Sequence, residues 1–356
     1  MPVGSTSHAA TVEPSFGNAD AHGAAEDVLV TLRAARQAAK RTLDRSLDLK
    51  NAKLIGEDLA GVDFRGSDLS GADLSRANLS GANLSRCCLR GATLHQTVLE
   101  GAELLGADLS DANLDECDAR QTGFGGVDLS RATLLRSNLT GATLIRTTAR
   151  GTDFTAATLR GARLRDSDLR EARFIQTDLA ESDLENTKVD ACSFDGSDLR
   201  SAAVRKIHGY DEASWIGVDI RDVNFSSAYL MRRFILDENY LHEFRTRDRV
   251  SEILYRVWWI TSDCGRSFTR WAMWTVFIAI LFAGLFTFVD IDYGDYRTSV
   301  SPIYYSVVTL TTLGYGDVLP ASAAAQMLVV AQVIIGYIAL GGLLSIFANK
   351  MGRRAD

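Results

Sequence analysis

The residues best suited to binding chemistry lie in one short segment, which reads TLTTLGYGD at positions 309–317. Gly314 and Gly316 permit backbone conformations in which successive carbonyl groups point in one direction. Rings of backbone carbonyls can replace the hydration shell of a cation. Tyr315 can pack away from such a ring and hold it open, and the Thr312 hydroxyl can add one more ring of oxygens. The pattern therefore indicates a site for a dehydrated cation.

Two long uncharged stretches flank this segment. Residues 271–289 would extend about 28 Å as a helix, enough to cross a bilayer. The second stretch predicts a helix over 322–347. Between them, a Ser-Pro pair at 301 and 302 predicts a short helix over 302–311, because serine caps helices and proline suits the first turn. The sequence therefore predicts a pore domain over 269–350, in which a short helix presents the carbonyl segment between two membrane spans.

In this setting, residues 309–317 closely resemble the signature of two-transmembrane potassium channels, and the resemblance extends over residues 268–350. It implies a potassium-selective channel with K⁺ as the permeant ion, no cofactor and no enzymatic activity. It also implies that backbone carbonyls and the Thr312 hydroxyl bind the ion. The selectivity filter would comprise five residues, Thr312, Leu313, Gly314, Tyr315 and Gly316. K⁺ would bind at the first four of them.

The same resemblance assigns supporting roles beside the filter. Tyr305 matches an aromatic residue that braces the filter, and Asp317 matches its hydrogen-bond partner. Leu313 departs from the valine or isoleucine usual at its position, so the wall of the filter is packed differently and the degree of selectivity stays open. A less selective cation channel is therefore one alternative.

A single filter segment cannot surround an ion. Four copies around a fourfold axis would do so, which predicts a cyclic homotetramer. In the second span, Gly336 and Gly341 are candidates for a hinge at which the inner helix bends, although glycine in a membrane helix also serves close packing. Helical spacing places a candidate inner cavity or constriction on one side of that helix, formed by Tyr337, Leu340, Leu344 and Ala348.

Charge sets the expected orientation. Residues 221–270 carry nine arginines, whereas the loop between the spans carries four aspartates and one arginine. The positive-inside rule predicts a multi-pass protein of the cell membrane with both termini in the cytoplasm. Within a linker expected at 231–268, residues 250–258 place apolar side chains at helical spacing, which predicts an amphipathic helix in contact with membrane lipid.

The first half of the chain is an internal repeat. From residue 54 to residue 204 an apolar residue, mostly leucine, recurs at every fifth position, with a small residue two positions earlier everywhere except at Glu57. A period of five fits neither a helix nor a strand and indicates stacked turns of one unit. The pattern resembles the pentapeptide-repeat family, which implies a right-handed, four-sided β-helix. We expect this cytoplasmic β-helix over 49–230, with the frame broken near 209–217 and resumed at Ile220, Phe225 and Leu230.

The segments outside the repeat and the pore domain have simpler expectations. Residues 1–25 predict a disordered tail, residues 26–48 a helix that caps the first coil, and residues 351–356 a short C-terminal tail. The five cysteines include three at small inward positions of the repeat, which favours core thiols over a disulfide framework or a metal site.

The alternative from another class is a membrane-anchored interaction protein, because some pentapeptide-repeat proteins mimic DNA in shape and charge. With 38 basic and 45 acidic residues the chain has a net charge of −7, so no nucleic-acid partner is expected. Under this alternative the pore sequence would be only a tether. The sequence identifies neither a gating stimulus nor a protein or ligand partner for the β-helix.

Overall fold

The computed structural model describes the chain over residues 46–265, 267–294 and 297–352. The predicted tail at 1–25 lies outside these residues, as do most of the predicted capping helix at 26–48 and most of the C-terminal tail at 351–356. The chain divides into two compact units, Met1–Asn239 and Tyr240–Asp356.

The first unit is a β-helix in which parallel bridges join residues twenty positions apart. The bridges follow one another every five residues, from Asp48 with Asp68 to Lys188 with His208. At each bridge, backbone N–H groups of one coil donate to carbonyls of the next. Twenty residues are four pentapeptides, so every coil has four sides, as the resemblance implied.

Two residues of every five point into the β-helix. The central apolar residue is buried throughout, as Leu74 and Phe124 are, and from Val62 onward the small residue two positions earlier is buried beside it. Where that small residue is threonine, its hydroxyl donates to a backbone carbonyl, which in most cases belongs to the preceding coil. Thr97 donates to the Leu74 carbonyl at 2.8 Å and Thr122 donates to the Leu99 carbonyl at 2.7 Å. These hydroxyls are therefore buried without loss of hydrogen bonding.

The repeat frame shifts by one residue near its C-terminal end. Lys188 bridges His208, twenty positions on, but Ser193 bridges Ser214, twenty-one positions on. The extra residue therefore lies between 209 and 213, within the region where the sequence predicted a break.

The first inward residue after this shift is Trp215, which is fully buried. The repeat therefore resumes five residues earlier than predicted, and Ile220 and Phe225 follow in the same frame. The expectation that Leu230 is a further inward residue was wrong. Helix α1 (Tyr229–Arg247) has begun by that point, and Leu230 is 53% exposed on it.

The first half of α1 covers the last coil of the β-helix. Met231 and Ile235 are buried against the repeat core. Glu238 accepts a hydrogen bond from Trp215 N at 3.1 Å, and Asn239 donates to the Trp215 carbonyl at 2.9 Å. These side chains satisfy backbone groups that the end of a solenoid would otherwise expose.

The second unit is mainly helical. Its two short strands pair antiparallel, with Ile291 opposite Pro320. Two of its helical stretches, Phe268–Phe286 and Ala323–Ala348, are long and apolar enough to cross a membrane. The elements in chain order are α2 (Arg249–Ser262), α3 (Phe268–Phe286), β1 (Ile291–Asp292), α4 (Ser301–Leu310), β2 (Leu319–Pro320) and α5 (Ala323–Gly352).

The observed helix ends differ from the predicted ones by a few residues. Helix α3 begins and ends three residues before the predicted 271–289, because Ser267 caps it by accepting from Arg270 N at 3.2 Å. Helix α4 lies one residue before the predicted 302–311, and α5 continues beyond the predicted end at 347. The expected class, a pentapeptide β-helix followed by a two-span domain, is confirmed.

A column of stacked rings supports the C-terminal coils and generates the first prediction. Phe154, Phe174, Phe194 and Trp215 stack at centroid distances of 4.9, 5.0 and 4.2 Å. Phe174→Ala should lower the free energy of unfolding by about 3–5 kcal/mol, because it leaves a cavity inside the column. Thermal melting of the full-length protein, followed by circular dichroism, measures the loss. Ile175→Ala, on the outer surface, is the control, and an equal loss there would show that the inward assignment is wrong.

Thiol chemistry gives the second prediction. Burial raises the pKa of Cys87 to about 11 and the pKa of Cys117 and Cys192 to about 12. At pH 8, below these values, the three thiols stay protonated, and they should be alkylated at least about a hundredfold more slowly than an ordinary cysteine. Cys88 and Cys264 are only half-buried and should react first. Mass spectrometry of iodoacetamide-treated native protein tests this order, and early labelling of Cys117 would contradict it.

Candidate ion-conducting site

Helix α4 leads directly into the predicted filter. Thr312 N donates to the Thr309 carbonyl at 3.0 Å, and Leu313 N donates to the Val308 carbonyl at 3.1 Å. These bonds hold the first filter residues against the last turn of the helix. The negative end of a helix dipole attracts cations, so the helix end and the filter favour the same charge.

The filter backbone alternates in handedness. Thr312, Gly314 and Gly316 have positive φ, at 58°, 49° and 77°, whereas Leu313 and Tyr315 between them do not. Alternation of this kind can turn successive peptide groups the same way, with the N–H groups on one side and the carbonyls on the other. For a β-branched residue such as Thr312, positive φ is strained by about 1–3 kcal/mol. The surrounding structure therefore holds the segment in a shape that exposes carbonyls.

The filter is uncovered in a single chain. The side chains of Leu313 and Tyr315 are 61% and 68% exposed. Among the described residues, no backbone N–H donates to a carbonyl of residues 312–316. A cation that gives up its water needs oxygens on all sides, so one copy of the segment supplies only part of a coordination shell.

The structure corrects the aromatic partner of the aspartate that follows the filter. Tyr304 donates its hydroxyl hydrogen bond to Asp317 Oδ2 at 2.7 Å. The predicted partner, Tyr305, is buried instead and packs on Phe286 at 5.0 Å and on Tyr293 at 6.3 Å between ring centroids. The prediction of a Tyr305–Asp317 hydrogen bond was therefore wrong, and Tyr304 is the residue that donates to Asp317.

Helical phase explains the exchange. Adjacent residues on a helix point about 100° apart, so only one of two neighbouring tyrosines can face the filter loop. Ser301, Tyr305 and Val308 are buried and lie four and three residues apart, which marks them as one inward face of α4. Tyr304 would fit the same face by spacing alone, at three residues from Ser301 and four from Val308, so the observed burial and not the sequence assigns Tyr305 to the interior.

The glycines of the inner helix have unlike surroundings. A Cβ at Gly336 would overlap the Leu310 carbonyl, and a Cβ at Gly342 would overlap the Trp271 ring. At Gly341 no atom lies within contact distance of such a Cβ. Gly336 therefore occupies a close approach between α5 and the end of α4. The sequence allowed either a hinge or a packing role for Gly336, and this contact is a packing role. At Gly341 a Cβ would meet no neighbouring atom.

The residues predicted to line an inner cavity lie on an uncovered part of α5. Leu340 lines a hollow of about 360 Å³ beneath the end of α4, together with Thr312 and Gly336. Tyr337, Leu344 and Ala348 are exposed but do not line that hollow. Of the four candidate cavity residues, only Leu340 therefore lines the same hollow as a residue of the predicted filter.

Known families match both parts of the chain. The pentapeptide-repeat family matches in eight copies between residues 47 and 186. The ion-channel family matches residues 298–353, which contain α4, the filter and α5. The chain joins a pentapeptide-repeat domain to an ion-channel domain.

Two plant proteins are similar over short stretches. Two-pore potassium channel 1 of Arabidopsis thaliana is 34% identical over 97 residues, which are 27% of this chain and 27% of that protein. Two pore potassium channel b of Oryza sativa subsp. japonica is 40% identical over 58 residues, 16% of this chain and 17% of that protein. The chain therefore matches about a quarter or less of the length of either relative.

Solved pentapeptide-repeat structures are similar to the first half. HetL from the cyanobacterium Nostoc sp. strain PCC 7120 is 24% identical, with 54% of this chain and 93% of that chain covered and a TM-score of 0.34. QnrB1, a plasmid-mediated fluoroquinolone resistance protein, is 21% identical in a trypsin-treated form, with 53% and 95% covered and a TM-score of 0.37.

Sequence reasoning missed a buried polar pair in the ion-channel domain. Gln332 of α5 and Ser306 of α4 are both fully buried, and Gln332 Nε2 donates to Ser306 Oγ at 2.7 Å. The signal was present, because a lone amide in the middle of an apolar span is costly in lipid and marks a site with a partner. Among the described residues, no three His, Cys, Asp or Glu side chains form a group that could hold a metal ion.

The two inner-helix glycines give the third prediction. Gly336→Ala should destabilise the ion-channel domain by about 1–3 kcal/mol, because the added methyl group must displace the Leu310 carbonyl. Gly341→Ala adds the same methyl group in open space and should be neutral or stabilise the helix by up to about 1 kcal/mol. Thermal melting of the purified protein in detergent compares the two variants. If both behave alike, Gly336 is not a packing contact.

Proposed function

We propose that this protein is a homotetrameric potassium-selective channel that passes K⁺ passively through its TLGYG filter. The alternating φ of residues 312–316 at the end of α4 supports the proposal, since such a backbone can aim a run of carbonyls to one side. In a ring of four chains these carbonyls would form successive oxygen cages at Thr312, Leu313, Gly314 and Tyr315, with Gly316 completing the filter. K⁺ is then the permeant ion and not a cofactor, and no catalysis is involved.

The exposed filter side chains support the proposed tetramer. Leu313 and Tyr315 present large apolar surfaces in one chain, and neighbouring chains would cover them while the carbonyls face the axis. Asp317 beside the filter, with Asp290 and Asp292 in the preceding loop, would gather negative charge at the mouth and concentrate cations there.

Aromatic and basic residues support the proposed orientation in the cell membrane. Trp271 and Trp274 lie near the start of α3, where interfacial tryptophans are common. Helix α2, which precedes α3, exposes Val250, Ile253 and Leu254, an apolar surface suited to lipid. With the arginines of residues 221–270 on the same side, both termini would be cytoplasmic and the filter mouth would face outward.

We further propose that the β-helix modulates opening and is not required for conduction. In the chain it precedes the first span, with α1 and α2 between them. A ligand of the β-helix would change opening only if it bound the open and closed channel with different affinities.

Ion flux is the fourth prediction and the direct test. Purified protein in liposomes should pass K⁺ at least about tenfold faster than Na⁺, because rigid carbonyl rings replace the hydration shell of the larger ion. Gly314→Ala should cut K⁺ flux at least about tenfold, since its φ of 49° disfavours any residue with a Cβ.

The matched control is Gly284→Ala, which adds the same methyl group to α3 with no atom in contact and should retain flux. Equal passage of Na⁺ and K⁺ would support the less selective cation channel instead. Absence of flux from well-folded protein would contradict a channel altogether.

A further inference from the structure

A buried chain of hydrogen bonds joins three helices of the ion-channel domain. Ser306 Oγ, on α4, donates to the Ala279 carbonyl of α3 at 2.7 Å. Gln332 Nε2, on α5, donates to Ser306 Oγ at 2.7 Å and to the Ser306 carbonyl at 3.0 Å. Ser306 and Gln332 are both 0% exposed. The serine is therefore the point at which the pore helix is fixed to both membrane-spanning helices.

Only one orientation of the amide fits these partners. The Ser306 hydroxyl has a single hydrogen, which it gives to Ala279, so it can only accept from Gln332. The Ser306 carbonyl can only accept as well. The amide nitrogen must face the serine, and Gln332 Oε1 then points elsewhere, buried and without a hydrogen-bond partner among the described residues. The pair is directional, because Gln332 must donate.

A second contact lies one helical turn further along both helices. Leu310 is four residues after Ser306 on α4, and Gly336 is four residues after Gln332 on α5. The Leu310 carbonyl fits against Gly336, where no side chain could be accommodated. Residues four apart lie on the same face of a helix, so the two contacts form one continuous seam.

The seam ends at the filter. Leu310 is the last residue of α4, and Thr312, whose strained φ begins the alternating backbone, follows two residues later. A displacement of α5 at Gln332 must therefore either move the end of α4 or break a buried hydrogen bond. Breaking it is unfavourable, since an unpaired buried polar group is costly.

We propose that Gln332 is a positioning residue that couples the inner helix to the selectivity filter through Ser306. The coupling rests on the proposed channel function and adds a route by which movement of α5 alters the filter. The donated hydrogen bond is the element that transmits the movement, while the Leu310–Gly336 contact keeps the two helices in register.

The decisive variant is Gln332→Glu, which keeps the shape of the side chain but donates only when protonated. An ionised carboxyl at this fully buried position would have no counter-ion among the described side chains beside it. Ionisation would place a negative charge against two acceptor oxygens and break the pair. Open probability in single-channel recordings should be near that of the parent at low pH and fall about tenfold as pH rises and the carboxyl ionises.

The surroundings of the site make this pH response specific. On the described side chains of α3, α4 and α5, the titratable groups are Arg270, Tyr304, Tyr305 and Tyr337. The described side chains of these three helices therefore include no histidine and no carboxyl group that could add a second pH response. Gln326→Glu is the matched control, because Gln326 is an exposed glutamine on the same helix, and its pH profile should follow that of the parent.

Two further variants separate coupling from stability. Gln332→Leu removes the donor and should lower open probability at every pH, without the titration. Ser306→Ala, Gln332→Leu and the double variant form a mutant cycle in thermal melting, which should be non-additive because the two side chains share a bond. This cycle reports the contact whether or not the protein conducts.

Three outcomes would overturn the proposal. Additive melting would show that the side chains do not interact. Parent-like gating of Gln332→Glu at all pH values, in a protein that conducts K⁺ and shows a non-additive cycle, would show a contact with no role in opening. A pH response of equal size in Gln326→Glu would place the effect elsewhere. Failure of the parent protein to conduct would reject the proposed function and leave the contact itself to the melting cycle.

Discussion

Backbone hydrogen bonding is the constraint on which both units depend, because a buried N–H or carbonyl without a partner is costly. The β-helix meets it between coils, where each pentapeptide donates to the coil that follows it. Helices α3 and α5 satisfy the constraint with backbone hydrogen bonds inside each helix, as segments that cross lipid must. In residues 312–316 no described backbone donor meets the carbonyls, and it is there that the chain can offer oxygens to an ion.

The open ends of the repeat show how strongly this constraint acts. A solenoid needs a cap, and here the frame shift and α1 build one together. The extra residue brings Trp215 over Phe194, and Glu238 and Asn239 then reach the tryptophan's backbone N–H and carbonyl. The inserted residue therefore does not disrupt the β-helix. It places the indole ring of Trp215 at the end of the aromatic column, where α1 covers the last coil.

Periodic features were predictable from the sequence, and contacts between distant residues were not. The five-residue period fixed the inward positions, and the glycines of the filter indicated its carbonyl chemistry. The partner of Asp317 was mistaken because two adjacent tyrosines are equivalent until the phase of α4 is known. Ser306 and Gln332 lie 26 positions apart, and their pairing depends on how two helices cross. Trp215 was missed because its place depends on the coil beneath it.

As the proposed filter, residues 312–316 would have opposite requirements on their two sides. Toward an ion, the carbonyls must be free of protein partners, and no described backbone N–H donates to the carbonyls of residues 312–316, while Thr312 is held at a strained φ. Contacts on the side away from the ion must therefore hold the segment in place. There Tyr304 donates to Asp317, and the seam from Ser306 to Leu310 fixes α4 against α5. A buried amide in a membrane helix is costly, yet it supplies a directional bond that apolar packing cannot. The polar pair therefore lies where rigidity behind the filter matters most.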